Sequence, residues 1–168
     1  MKLFISPHPD DETLFGAYTI MREKPLVVIV TNPTLQGNNG HQRLMESYEA
    51  MRILYVPICF LGINENGLSI DKLVERLTPF KDVELAYIPE YEEGGNQQHN
   101  IVSLICKRLF TNTKTYKTYT GLESRSIGKE IIPTEKELEL KKKAMACYQT
   151  QINNPNTAHY FQVTNEYE

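Results

Sequence analysis

Apolar residues recur along this chain in two rhythms, short unbroken runs and helically spaced sets, whose alternation predicts a parallel sheet flanked by helices. Residues 2–6 read as a first strand on the strength of Leu3-Phe4-Ile5, and a helix follows over about 11–22. Leu26-Val27-Val28-Ile29-Val30-Thr31 is an unbroken run of a kind typical of a strand buried on both faces. From 41 to about 55, the spacing of Leu44, Tyr48, Met51 and Leu54 marks one helical face. A third strand is expected over 57–61, a polar turn over 62–68, and a helix from an N-cap at Ser69 to near Pro79.

The fourth strand is expected over 83–88, followed by an acidic, glycine-bearing loop over 89–99. Ile101, Leu104, Ile105, Arg108 and Leu109 then suggest another amphipathic helix. A strand over 115–120 and a short edge strand over 129–132 come next. Thr134-Glu135-Lys136-Glu137 is a capping box, which predicts a helix from there to about Gln149. The tail from Asn153 is expected to drape over the domain.

The 168 residues, 40% of them hydrophobic, suffice for one domain with a real core and are too few for two. A single domain over 1–168 is therefore expected. The formal net charge of −3, with no basic run interleaved with aromatics, argues against a nucleic-acid partner. No apolar run reaches the roughly 18 residues of a membrane span, and the first strand begins without a secretory segment, so the expected location is the cytoplasm. Cys59, Cys106 and Cys147 stand singly in apolar surroundings and read as reduced thiols.

The densest chemistry lies in Ser6-Pro7-His8-Pro9-Asp10-Asp11-Glu12, between the first strand and the first helix. Such a loop at a carboxyl end of a parallel sheet is where open α/β folds place ligands. His8 and Asp11 can supply two ligands to a metal that takes three and leaves a position for water. Asp10 then stands beside the metal, where a base for that water belongs. Helix capping and dipole preferences alone would also produce an acidic helix start. A third ligand must come from His41, His99 or His159, and His99 lies in the loop after the fourth strand.

His8-Pro9-Asp10-Asp11-Glu12, then Arg43-x-x-Glu46, Phe60-Leu61-Gly62 and Glu93-Gly94-Gly95-x-x-x-His99-Asn100, resemble the zinc-dependent N-acetylglucosamine deacetylase family, also called LmbE-like or PIG-L. A late helix with Lys142, Cys147-Tyr148 and Gln151 extends the resemblance across most of the chain. It implies a Rossmann-like α/β domain with its active site at the carboxyl ends of the strands. It also implies His8, Asp11 and His99 as ligands of Zn2+ or another divalent metal, with Asp10 as general base. The implied reaction is removal of an N-acetyl group from an N-acetylglucosamine-type sugar or sugar conjugate. Arg43 matches a position that can face substrate hydroxyls or phosphate, with an i,i+3 ion pair to Glu46 as the alternative.

One motif departs from the family. Where the family usually reads His-x-Asp-His, this chain reads Asn96-Gln97-Gln98-His99. Asn96 can donate a hydrogen bond to a developing oxyanion but cannot deliver a proton near neutral pH, and Gln98 lacks a carboxylate to orient an imidazole. Asp10 once protonated, Tyr91 or His159 could act as the acid, or the protein could bind zinc and a glycan or partner without deacetylation. For so compact a chain, the expectation is either a more open site or one completed by a neighbouring subunit in a homo-oligomer.

Overall fold

Among the described residues, five parallel strands form one sheet in the order β3-β2-β1-β4-β5, placing the first strand at its centre. They are β1 (Lys2–Ser6), β2 (Leu26–Asn32), β3 (Ile58–Asn64), β4 (Leu85–Pro89) and β5 (Thr113–Tyr116), and the computed structural model describes residues 1–33, 39–118 and 128–168. The helices are α1 (Asp11–Glu23), α2 (Asn39–Ile53), α3 (Ile70–Leu77), α4 (Gln97–Leu109), α5 (Glu135–Met145) and the short α6 (Gln149–Ile152). Among the described residues, no helix is long and apolar enough to cross a membrane.

The unbroken apolar runs are explained by the two faces of this sheet. Side chains alternate across a strand, so Phe4, Val27, Ile29 and Tyr87 pack in a core with α1, α2 and α5. Leu3, Ile5, Val28, Val30, Ala86 and Ile88 pack in a second core with α3 and α4. Helix α1 lies close on β1 because Gly16 has no side chain: a Cβ there would stand 2.0 Å from Phe4 Cζ. Phe4 is itself held by Tyr116, whose ring is stacked on it at 4.5 Å between centroids.

Several expected boundaries move, each for a local reason. β3 runs on to Asn64 through a bulge, in which Leu61 and Gly62 face Val30 and Gly62 takes φ +68°. Helix α4 starts at Gln97 because the Asn96 side chain caps it, accepting from the N–H groups of Gln98 and His99. Helix α5 has both arms of the expected capping box but ends at Met145. Strand β5 is shorter and earlier than expected, and residues 119–120 of that expectation lie outside the described ones. The edge strand expected over 129–132 is only a single antiparallel bridge from Glu130 to Tyr167.

The tail is pinned into the fold as well as draped over it. Glu166 is fully buried, accepting from Lys141 Nζ at 2.7 Å and from the Tyr18 backbone N–H at 3.0 and 3.1 Å. Lys141 also donates to Leu14 O at 2.7 Å and sits 4.8 Å above the Tyr18 ring. The lysine built into the core is thus Lys141, and Lys142 is exposed. Burial of this pair works against both charges, lowering the Lys141 pKa and raising that of Glu166. All three cysteines are free, Cys106 buried and the others half-buried.

Candidate metal centre

The loop between β1 and α1 is built around a carboxylate that does not face the site. Glu12 is fully buried and accepts from the Asp10 N–H at 2.9 Å, Ser6 Oγ at 3.2 Å and the Tyr148 hydroxyl at 2.5 Å. Thr31 anchors the other side, donating from its backbone N–H and its Oγ1 to Pro7 O at 3.0 and 2.8 Å. These bonds hold Asp10 at φ 121°, a conformation disfavoured for any residue with a Cβ. Its carbonyl accepts from Thr13 and Leu14 and so starts α1.

With Asp10 so placed, Asp11 faces the site from the first turn of the helix. Its Oδ2 lies 3.1 Å from His8 Nδ1 and 3.0 Å from His99 Nε2, and the two ring nitrogens are 3.0 Å apart. Sequence reasoning named these three residues as ligands, and the fold brings them together from two sheet-end segments. His41 and His159 are exposed and belong to no such cluster among the described residues.

Three ligand atoms this close repel one another unless a positive charge sits among them. A tetrahedral zinc about 2.0–2.1 Å from each ligand spaces them roughly 3.4 Å apart, and the observed triangle falls just short of that. The residues therefore fit a divalent cation with nitrogen and oxygen ligands. Without a metal, protons take that place. Burial opposes charge on Asp11, but the charge of His99 and the hydrogen bonds of both histidines hold its carboxyl well below the usual range. Burial likewise opposes charge on His8, yet Asp11 and Gln98 carry its pKa up to about 9. A proton and a metal compete for these lone pairs, so metal binding should release protons.

Gln98 has a role that the sequence reading did not foresee. Its Oε1 meets His8 Nε2, and its Nε2 donates to Glu65 O at 2.7 Å. An acceptor on Nε2 keeps the proton there and turns the Nδ1 lone pair to the site. The amide that replaces the family carboxylate thus still orients an imidazole. The signal was its position one residue before His99.

Asp10 stands beside the triad in an ion pair. Arg43 Nη2 donates to Asp10 Oδ2 and to Pro9 O, both at 3.0 Å, while Glu46 accepts from the Thr150 N–H and hydroxyl. Among the described residues Arg43 thus pairs with Asp10 rather than with Glu46, the alternative, and it lines the pocket beside that carboxylate. Burial is the largest influence on Asp10; Asp11 and Glu12 reinforce it, Arg43 and His8 oppose it, and the carboxyl is pushed up to about 7.

A pocket of about 300 Å³ opens over these groups. Asn96 and Glu65 line it, as do Leu14 and Phe15 from α1 and five residues of the segment 151–161. Tyr91 and His159, the other groups considered for the acid role, are not among its lining residues, and His159 packs against Tyr160, which is. Of the tail, the sequence reading considered only His159 for the site.

Solved structures share this architecture. A 4-carboxy-2-hydroxymuconate hydratase from Pseudomonas putida KT2440 aligns with a TM-score of 0.70 at 12% identity, over 96% of this chain and 83% of its own. A deacetylase triple mutant from the teicoplanin biosynthetic pathway aligns at 0.68 and 15% identity, over 95% and 87%. The zinc-inhibited form of teicoplanin deacetylase Orf2 aligns at 0.66 and 11% identity, over 93% and 87%. The chain resembles the LmbE-like, or PIG-L, proteins in fold. No family model and no curated protein matches the sequence. A fold shared by a hydratase and by deacetylases does not choose the reaction, so the chemistry has to be argued from the site.

Proposed function

We propose that this protein is a metal-dependent deacylase that removes the N-acetyl group from an N-acetylglucosamine-type sugar or sugar conjugate. The observation that carries the reading is the meeting of His8 Nδ1, Asp11 Oδ2 and His99 Nε2, with Asp10 beside them in one pocket. These three residues would hold zinc or another divalent cation. Such a cation supplies Lewis acidity, polarising an amide carbonyl and easing the ionisation of water.

The chain supplies the rest. Arg43 holds Asp10 Oδ2, which fixes the carboxylate and leaves Oδ1 to take the proton from the attacking water. The Asn96 carboxamide lines the pocket, and its NH2 group is the donor assigned to the developing oxyanion. Asp10, protonated by the first step, returns its proton to the departing nitrogen. One amide bond and one water become acetate and an amine. The reading carries with it a small-molecule partner, an N-acyl sugar or sugar conjugate, and a cytoplasmic location.

The test is acetate release from a panel of N-acetyl sugars, with metal added and with metal removed by a chelator. Metal-dependent release is the expected result, and Asp10→Asn should keep the metal and lose turnover. No release from any substrate would overturn the proposal. A second reading, binding without turnover, is favoured by one observation: Asn96 caps α4 at the position where the family carries a proton-bearing histidine. A rise in turnover in Asn96→His would show that this missing proton donor limits the native protein.

A further inference from the structure

The segment 151–161 contributes five side chains to the pocket, Gln151, Asn154, Thr157, Tyr160 and Phe161, and every one is uncharged. Two are aromatic rings, both only half-buried; the other three carry amide or hydroxyl groups. We propose that this wall is the subsite for the sugar ring: Tyr160 and Phe161 take its apolar C–H face, and the amide and hydroxyl groups take its hydroxyl edge. A pyranose has that division of surface, apolar across one face and hydrogen-bonding around its rim. Ligand pockets generally combine aromatic area with a few placed polar groups in this way. The inference rests on the deacylase reading for the identity of the bond cleaved, and it adds how the substrate is held.

The wall is built in advance of any ligand. Thr157 Oγ1 donates to Gln151 O at 2.7 Å, closing the turn before the rings. Beyond them, the Tyr18 hydroxyl donates to Thr164 O at 2.9 Å, and Glu166 is locked to Lys141 and to the Tyr18 N–H. Phe161 lies against Tyr148, with ring centroids 5.7 Å apart, and the Tyr148 hydroxyl reaches Glu12. Since Glu12 also holds the Asp10 N–H, one aromatic contact joins the ring-binding wall to the loop that carries the base. A wall fixed on both sides gives up little freedom when a ring settles on it.

The test measures binding apart from turnover. Titration calorimetry of the zinc-loaded protein with methyl N-acetylglucosaminide, in an Asp10→Asn background, reads the subsite directly. Tyr160→Ala should weaken binding about tenfold, Tyr160→Phe should restore most of it, and the metal affinity of both should equal that of the parent. Asn154→Ala should give a smaller loss, of about threefold. Because Phe161 rests on Tyr148, Tyr160 is the variant that decides. Unchanged affinity in Tyr160→Ala would overturn the subsite, as would failure of the parent to bind the glycoside at millimolar concentration. Acetate release by the native protein keeps the two proposals separable. Sugar binding without release at any metal loading defeats the deacylase reading and leaves the subsite standing, whereas acetate release from N-acetyl sugars together with unchanged affinity in Tyr160→Ala defeats the subsite and leaves the deacylase reading standing.

Discussion

Two short stretches meet at the candidate metal triad, and they are held by different means. In the loop from Ser6 to Glu12, a buried carboxylate gathers the Asp10 N–H and two hydroxyls, and the chain is forced into a strained turn that aims Asp11 inward. At the start of α4, amides do the corresponding work: Asn96 caps the helix that presents His99, and Gln98 orients His8. Both stretches fix geometry. The first also carries Asp10, the group assigned as base in the proposed reaction. On the proposed reading, holding a cation is shared by both stretches and moving the proton is assigned to Asp10 in the first.

Removing a ligand is the strongest way to break the comparison. His8→Ala, Asp11→Ala and His99→Ala should each lose stoichiometric metal after dialysis against a weak chelator, as read by elemental analysis, and full retention in all three would remove the triad from the argument. Gln98→Ala tests whether the amide stretch positions as well as the carboxylate one does. It should weaken metal affinity by roughly 10–100-fold in a competition titration while leaving stoichiometry at saturation unchanged. An affinity equal to the native protein's would show that His8 needs no partner on Nε2.

Stability measurements sharpen the same contrast. Tyr148→Phe strips a donor from the buried Glu12 and should cost about 2 kcal/mol in urea unfolding. Gly16→Ala would ordinarily favour a helix, but here the new methyl meets the Phe4 ring, and about 1–3 kcal/mol should be lost instead. A control lies outside both stretches. Arg22 Nε and Nη2 donate to the two oxygens of Glu137 at 2.7 and 2.9 Å, and that carboxyl is held down to about 2 from an ordinary 4.5. A depressed folded pKa gives stability that is present above about 4.5 and lost as pH falls through about 2. The Arg22 side chain is 42% exposed, so solvent limits the effect to about 1 kcal/mol. Glu137→Gln should differ from the native protein by that much at pH 7, and the gap should close toward pH 2.

What could be read from the sequence were features whose cause is local. The first strand has the expected bounds because three consecutive apolar residues follow one charged residue and precede a proline turn. The Ser69 cap and the box at Thr134 need only neighbours three residues away, and both form. The triad was legible because two of its members are three residues apart and the third follows the strand paired with β1. The bulge at Gly62 was missed because glycine in a strand pattern reads as an end, and only pairing with β2 shows the strand continuing. Asn96 read as loop because amides and glycines surround it, although the same residue is a good cap. Lys141 and Glu166, 25 positions apart, become partners only when the tail returns to α1.

The turn at Asp10 has a consequence for how glycine and alanine should rank. At most positions alanine gives the more stable protein, since it leaves the unfolded chain less freedom. At φ 121° a methyl group is itself the source of strain. Asp10→Ala and Asp10→Gly lose the same carboxylate and the same bond to Arg43, so their difference isolates the backbone. The glycine variant should be the more stable of the two, by about 1 kcal/mol. That inversion would measure directly how much conformational energy the fold stores in the residue beside the candidate metal site.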